Sequence, residues 1–585
     1  MSPGAYGTKG RVPLQFAAMT KLVAGLIYSG TEAAPASTMN RQRVAHAVEF
    51  AVAGFLTFEV IALHLNVMQH AGPLWRDEIS SLRLATMPTL AGFWSSLVYD
   101  PVPGLFFGVL RLWKSLGWGS TDEGLRHLGF LIGLGVLGAI WLAAWTIKKS
   151  PPTWALLLFG LSPVALVWGD SLRAYGLSCL WNILAIGFLW KLLSNRPSFP
   201  NIALASVAAL LSVQSLFPNS LFLFAAGASA IAVAIRRRWW HTALIILVIG
   251  CTAALSLLPY APIIQQTQNW SDLCKGGIDS ASIFTMMFHA ISSGGNVAAL
   301  LWIGATIFTG VAFALAMAKP QFLQLSDGDR DLVLFAGGTF LIALATNVGF
   351  FRIVGWTTSP WYYLPLMGTV AVCADAILKV FRRSMITTFA NCLIITVGAT
   401  CLVPLAYQAT TVRLTNVDLV TKTIAQRAEK SDLVIVDNYF YAISFHRYYH
   451  GKAPCLSVPD ISDLSLHRWD LVKNTISQPR PIQSILARIE QTLRSGNNVY
   501  VAGRAAPSHT ESLPPDLAPA PQTASRWQFI PYVARWADQV AYTVHAHASR
   551  GMIIPVPCEQ PVSEAERIRA FVVSGWKEST VAARQ

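Results

Sequence analysis

Two consecutive carboxylates, Asp77 and Glu78, stand in the string GPLWRDEISSLRLA, directly after a tryptophan and an arginine. A second acidic position, Asp170, is followed by Arg173 and Tyr175 in VALVWGDSLRAYGLS, and Asp100 opens the run DPVPGLFF. Taken singly, each has an ordinary explanation. Asp caps helices, and Arg reaches from a helix end to lipid headgroups. Taken together they have a chemical one. Carboxylates sharing a cavity can take a proton from a hydroxyl or hold a divalent cation, and arginine grips phosphate through paired hydrogen bonds. Whether they share a cavity depends on the elements that carry them.

Those elements are set by composition. The chain of 585 residues is 53% hydrophobic and 13% charged, with a mean hydropathy of +0.46. Soluble proteins keep about a quarter of their residues charged, so much of this chain has lipid as its solvent. Apolar stretches long enough to cross a bilayer as helices lie at about 44–66, 128–147, 153–169, 174–193, 201–217, 219–235, 242–261, 297–317, 331–351, 361–380 and 385–407. The reading is an α-helical polytopic membrane protein of about eleven transmembrane helices, residues 44–409. A soluble α/β domain follows over 410–585. Residues 1–43 form a cytoplasmic or interfacial segment. Its apolar run from Val12 to Ile27 is interrupted by Gln15 and Lys21 and is not counted as a span, and Met39 is a second plausible start.

The formal charge of +14 has a location. If residues 101–117 do not cross, then Arg41/Arg43, Lys148/Lys149, Lys191/Arg196, Arg236 to Arg238, Lys319 and Lys379/Arg382/Arg383 all fall on one side, which is then the cytoplasm. The segment 101–117 is therefore read as an amphipathic helix in the membrane interface. With the basic residues explained in this way and no basic-aromatic motif present, nucleic acid is not an expected partner. The same topology puts the loop 70–126, the turns at Gly169–Arg173 and Arg352–Pro360, the loop near 262–296 and the tail on the opposite, extracytoplasmic face. Asp77, Glu78, Asp100, Asp170 and Arg173 are thus expected to line one cavity.

In the tail, DLVIVD at 432–437 and NVYVA at 498–502 read as buried strands. Helical periodicity covers 481–494 and 527–548, and the stretch 505–525, rich in Pro, Ala and Ser, reads as a loop. Cys455 and Cys558 can pair if the tail is exported. His446 and His450, four apart, would share a helix face as metal ligands sometimes do, with no evident acidic third ligand. His289 sits on an interfacial helix of the outer loop, within reach of a substrate there.

The ordered set WRDEISSLRLA, YDPVPGLFFGVLRLW and LGWGSTDEGLRHLGFLIGLGVLGAIWLAAW resembles the GT-C membrane glycosyltransferases. More narrowly, it resembles the bacterial branch related to protein mannosyltransferases and the lipid A aminoarabinose transferase. The resemblance covers about residues 44–380. It implies a sugar donor on a polyprenyl phosphate and transfer with inversion to a glycan, lipid or protein acceptor. It also implies a location in the bacterial inner membrane, with the site facing outward.

On that resemblance Asp77, with Glu78 beside it, is the catalytic carboxylate, and Asp170 is the second acidic site, orienting the acceptor or a metal. Arg173 and Arg352 are the donor-phosphate ligands, while Asp100, Tyr175, Tyr362 and His289 contact substrate. No cofactor is certain, and a divalent cation is compatible. The chain departs from the family pattern at two places. Val102 and Gly104 stand where the family has the histidine and second proline of DxHPPLYY, and Trp361-Tyr362 stands where it has an Arg-Tyr pair. Two alternatives remain at this point: a lipid-linked sugar or polysaccharide translocator, and an inactive scaffold of the same fold.

Overall fold

The computed structural model describes residues 36–194, 197–271, 278–382, 384–503, 512–520 and 528–578. The run Val12–Ile27 lies outside them, as does most of the loop 505–525. Among the described residues nine helices are long and apolar enough to cross a bilayer: Arg43–His70, Asp122–Lys148, Ala174–Ser194, Asn219–Arg236, Trp240–Trp270, Gly295–Ala318, Asp327–Val354, Pro360–Val380 and Met385–Thr410.

The other two expected spans are present in shorter form. Phe199–Ser215 is a helix of 17 residues. The stretch 153–169 is broken into a first turn Thr153–Ala155, a wide π turn Leu156–Gly160 and a helix Pro163–Gly169. Pro163 has no N–H and can only start a helix, which accounts for the break before it. Both segments still run from one end of the bundle to the other. At one end the Pro151 carbonyl accepts from Lys379 and the Leu193 carbonyl from Arg237. At the other, the Asp170 carbonyl lies so close to Gly129 that a Cβ there would fall 2.0 Å from it. Gln214 there donates to the Ser256 carbonyl at 3.0 Å and accepts from the Tyr260 hydroxyl at 3.1 Å.

The expected charge segregation is visible in the contacts. Arg236 and Arg237 both bind Asp331, Lys148 binds Asp329, and Arg382 binds Glu49 at 2.5 Å. These pairs join helix ends at one pole, called here the basic end. The segment 101–117 does not cross. Its helix Leu105–Ser115 lies at the opposite pole, where the Gly104 amide donates to Tyr260 and Arg111 donates to the carbonyls of Ala85 and Met87. Phe106, Phe107 and Leu110 are buried on one side, and Leu112, Leu116 and Trp118 are exposed on the other, as an interfacial helix requires.

Beyond Thr410 the chain forms a five-stranded sheet in the order β2-β1-β3-β5-β4. The strands are β1 Leu433–Asp437, β2 Cys455–Val458, β3 Val499–Gly503, β4 Ala548–Ile554 and β5 Arg569–Trp576. β1 pairs in parallel with β2 and β3, and β5 closes antiparallel on β3 and β4. In β1, Leu433 and Ile435 face a core shared with the helices Gln483–Arg494 and Ile530–His547. Val434 and Val436 face another shared with Val417–Ala425 and Tyr439–Tyr448. Burial on both faces is why the strand reads as an unbroken apolar run. Cys455 and Cys558 are both free thiols, so the expected pairing does not form.

This domain sits on the pole opposite the basic end. The Leu414 amide donates to the Ala71 carbonyl at 2.9 Å, the Leu74 amide to the Tyr448 hydroxyl at 2.8 Å, and Arg447 pairs with Asp122 at 2.7 Å. Ile443 and Leu466 of the domain share a core with Leu82, Phe106 and Leu128.

Candidate active site

The helix Arg76–Ala85 carries the acidic pair. Its start is fixed by Glu78, whose Oε2 accepts from the Trp75 amide at 3.2 Å, a capping arrangement that also favours acidic residues in the first turn. The carboxylate does more than cap. Arg126 grips both of its oxygens, with Nη2 to Oε2 at 2.8 Å, and the Leu172 amide donates to Oε1 at 2.9 Å. Glu78 is fully buried. Four hydrogen bonds occupy its oxygens, which leaves no room for the proton of an acceptor. It ties this helix to the Asp122–Lys148 span and to the turn at 170–173.

Asp77 differs in every respect. Its side chain is 24% exposed, and Oδ1 accepts from His467 Nε2 at 3.1 Å. The Arg76 guanidinium lies 3.6 Å away. Burial opposes its ionisation, but the hydrogen bond and electrostatic pull of His467, followed by Arg76 and Arg173, outweigh burial and hold the carboxyl well below the usual range. Asp77 is therefore an ionised, reachable carboxylate. The His467 imidazole, nearly buried, stacks on Trp469 with ring centres 5.9 Å apart.

Arg173 stands behind this pair. It forms a two-pronged ion pair with Asp100, one arm at 3.1 Å, and donates to Ser81 Oγ at 2.8 Å and to the Asp77 carbonyl at 3.3 Å. Asp100 is buried, so the two charges neutralise each other and their fork geometry braces the loop. Tyr175, two residues further on, places its ring 6.1 Å from that of Tyr362, which in turn lies 6.5 Å from Phe351. This row of rings leads to Arg352, which is exposed, donates to the Ile278 carbonyl at 3.2 Å and has no carboxylate within 4 Å among the described residues. Trp361 packs with Trp168 at 4.2 Å and Trp75 at 6.2 Å, filling the wall between the acidic helix and the turn after 169.

Two expected members are not brought to this group. Asp170 was expected in the same cavity as Asp77. It turns inward instead and meets His64 Nδ1 of the first span at 2.8 Å, both side chains being buried. Gly133 makes room for them, since a Cβ there would fall 2.3 Å from Asp170 Oδ1 and 2.5 Å from His64 Nδ1. A carboxylate beside the hydrocarbon is costly without a partner, and His64 is the partner at hand. His289 is exposed on the helix Ser280–Ile291 and touches none of the groups around Asp77. The two histidines of the tail also part: the helix Tyr439–Tyr448 ends before His450, so His446 and His450 do not share a face.

No three His, Cys, Asp or Glu side chains converge as metal ligands among the described residues. The carboxylates nearest the site already face cationic or hydrogen-bonding side chains, Asp77 with His467 and Asp100 with Arg173. The donor set does not fit a divalent cation.

His467, His64 and Arg126 were not among the sequence-derived site residues. His64 carried a signal, being an ionisable group inside an apolar span. His467 carried none, since nothing in DISDLSLHRWD links it to a residue 390 positions earlier.

Fold and site together define a polytopic helical membrane protein with an acidic helix held where the bundle meets a docked α/β domain. No family model matches the chain, and no curated protein does. Among solved structures it is similar to the crystal structure of ArnT from Cupriavidus metallidurans bound to undecaprenyl phosphate. That match has 12% identity and a TM-score of 0.48 and covers 90% of this chain and 97% of the other. It is also similar to AglB from Archaeoglobus fulgidus in complex with an inhibitory peptide and a dolichol-phosphate, with 12% identity and a TM-score of 0.46, over 78% of this chain and 69% of that one. At such identities the chemistry has to be read from this chain's own side chains.

Proposed function

We propose that this chain is a membrane glycosyltransferase of the GT-C kind, moving a sugar from a polyprenyl-phosphate donor to an extracytoplasmic acceptor with inversion. One observation carries the reading. Asp77 is kept ionised and reachable at the mouth of an apolar bundle, while its neighbours Glu78 and Asp100 are engaged with internal partners. A carboxylate at the seam between the apolar bundle and the docked domain suits a donor whose chain stays in the bilayer and whose sugar does not.

In this mechanism the acceptor hydroxyl donates its hydrogen bond to Asp77. Its oxygen attacks the anomeric carbon, the bond from that carbon to the phosphate oxygen breaks, and the electron pair leaves with polyprenyl phosphate. The acceptor's proton passes to Asp77. A carboxyl held so far toward ionisation is a weak base, so the proton moves late, once the attacking oxygen has become acidic. Arg352, exposed beside the row of rings that runs from Tyr175 through Tyr362 and Phe351, serves the donor phosphate. Arg173 shapes the loop through Asp100 and Ser81 instead of reaching the phosphate itself. Glu78 has a structural role in this reading.

The test is compositional. A deletion strain is complemented with the wild-type chain or with Asp77→Asn, and glycolipids and surface glycans are profiled by mass spectrometry. The wild type restores a glycosylated product and Asp77→Asn, made in equal amount, does not. A fully restoring Asp77→Asn chain would remove the proposed base.

A further inference from the structure

The first two residues of the acidic helix are each held by a different part of the soluble domain. The Arg76 amide and guanidinium both donate to Glu566 Oε2, at 3.2 and 3.3 Å. Asp77 Oδ1 accepts from His467 Nε2 at 3.1 Å. His467 and Glu566 lie on separate segments of that domain, so the helix start is pinned from two directions. The imidazole has little freedom to turn, being stacked on Trp469 with an interplanar angle of 20° and set 6.2 Å from Phe440. Its Nε2 is thereby aimed at the carboxylate on which the proposed chemistry depends.

We propose that the soluble domain completes the active site, with His467 as the positioning residue that fixes the Asp77 carboxylate through its hydrogen bond to Oδ1. The inference rests on the reading of Asp77 given above. A carboxylate has two oxygens and rotates freely about its last bond. Holding Oδ1 from the domain side fixes the plane of the group and leaves Oδ2 for the acceptor hydroxyl. The benefit is orientation, and orientation within a few tenths of an ångström decides whether a hydroxyl is in line for attack. On this account the domain is part of the catalytic machinery, and undocking it disables a bundle that is otherwise intact.

Two substitutions separate the hydrogen bond from packing. His467→Gln places an amide N–H near the position of Nε2 and gives up the ring. His467→Phe keeps the ring stack and gives up the donor. Each is expressed in the deletion strain, and product formation is measured in isolated membranes supplied with the parent strain's lipid extract as donor pool. Membrane content of the protein is measured alongside. Loss of a hydrogen bond to an ionised group predicts that His467→Phe falls by about tenfold or more, while His467→Gln stays at least about fivefold above it. Equal rates for the two variants, or the reverse order, overturn the proposal. Asp77→Asn runs in the same assay. If it too is active, the glycosyltransferase reading fails; if it is inactive while His467→Phe matches the wild type, only the positioning role fails.

Discussion

Arg126 closes on both oxygens of Glu78, and neither side chain is open to water. The adjacent Asp77 has the Arg76 guanidinium 3.6 Å away and takes its side-chain hydrogen bond from the soluble domain. Two neighbouring carboxylates of like chemistry thus have separate tasks, set by what surrounds them. Glu78→Ala leaves the Arg126 charge buried and unpaired, which costs about 3–5 kcal/mol. The expected outcome is low yield and early thermal unfolding in detergent, while Asp77→Asn, which keeps a side-chain oxygen for His467, purifies in good yield and loses much less in melting temperature. Equal melting of Glu78→Ala and wild type would contradict the keystone role.

Much of this was legible in the sequence, and the limits have physical causes. Span positions follow from apolar length, and the exclusion of 101–117 follows from where Lys148, Arg236 and Lys379 must lie. The docked helix there, with Arg111 on the Ala85 carbonyl, agrees with it. Strand β1 was visible because both faces are buried. The pairing of Asp170 was not visible, because a helix turn places its side chain inward or outward on the strength of a glycine in another span, Gly133. Nor was the Asp77–His467 contact, since it depends on how two domains dock and no local pattern records that.

The His64–Asp170 pair gives a second expectation. Removing only His64 strands a carboxylate in a closed apolar site. His64→Ala should therefore lower stability by about 3–5 kcal/mol. Adding Asp170→Asn should recover part of that loss, a coupling of about 0.5–3 kcal/mol. Thermal melts of the four combinations in detergent provide the cycle. Additive losses would mean that the two side chains do not support one another.

Topology is open to a direct check. The gathering of Arg236, Arg237, Lys148, Lys379 and Arg382 at one pole predicts that this pole faces the cytoplasm. Reporter fusions after Lys149 should then read as cytoplasmic, and fusions after Tyr407 as exterior. Two fusions on the same side would require an even number of passages between them, against the run of 153–169 and Phe199–Ser215 from pole to pole.

Glu566 supplies a pH dependence. Burial pushes its carboxyl up to about 7, against the opposing pull of Arg76. A raised acid binds more protons when folded than unfolded, so stability falls as pH rises from the ordinary glutamate value through 7 and levels off above it. The stabilisation lost over that window is roughly 3 kcal/mol. Glu566→Gln, neutral throughout, should flatten the melting temperature between about pH 5 and pH 8. A slope unchanged by the substitution would place the titrating group elsewhere.

The two candidate phosphate ligands should separate kinetically. Arg352 is exposed, forms no ion pair within 4 Å among the described residues, and donates to the Ile278 carbonyl. If it holds the donor phosphate, Arg352→Ala raises KM for the lipid donor by about tenfold or more, the cost of a hydrogen bond between charged groups, and leaves the melting temperature alone. Arg173 is locked to Asp100 and Ser81. Arg173→Ala leaves Asp100 buried without its counter-charge, so yield and melting temperature fall along with activity. The order reverses if Arg173 is the phosphate ligand and Arg352 only snorkels to the headgroups. Arg352→Ala would then match the wild type at every donor concentration. Titrating the parent strain's lipid extract against membranes of each variant separates the two cases.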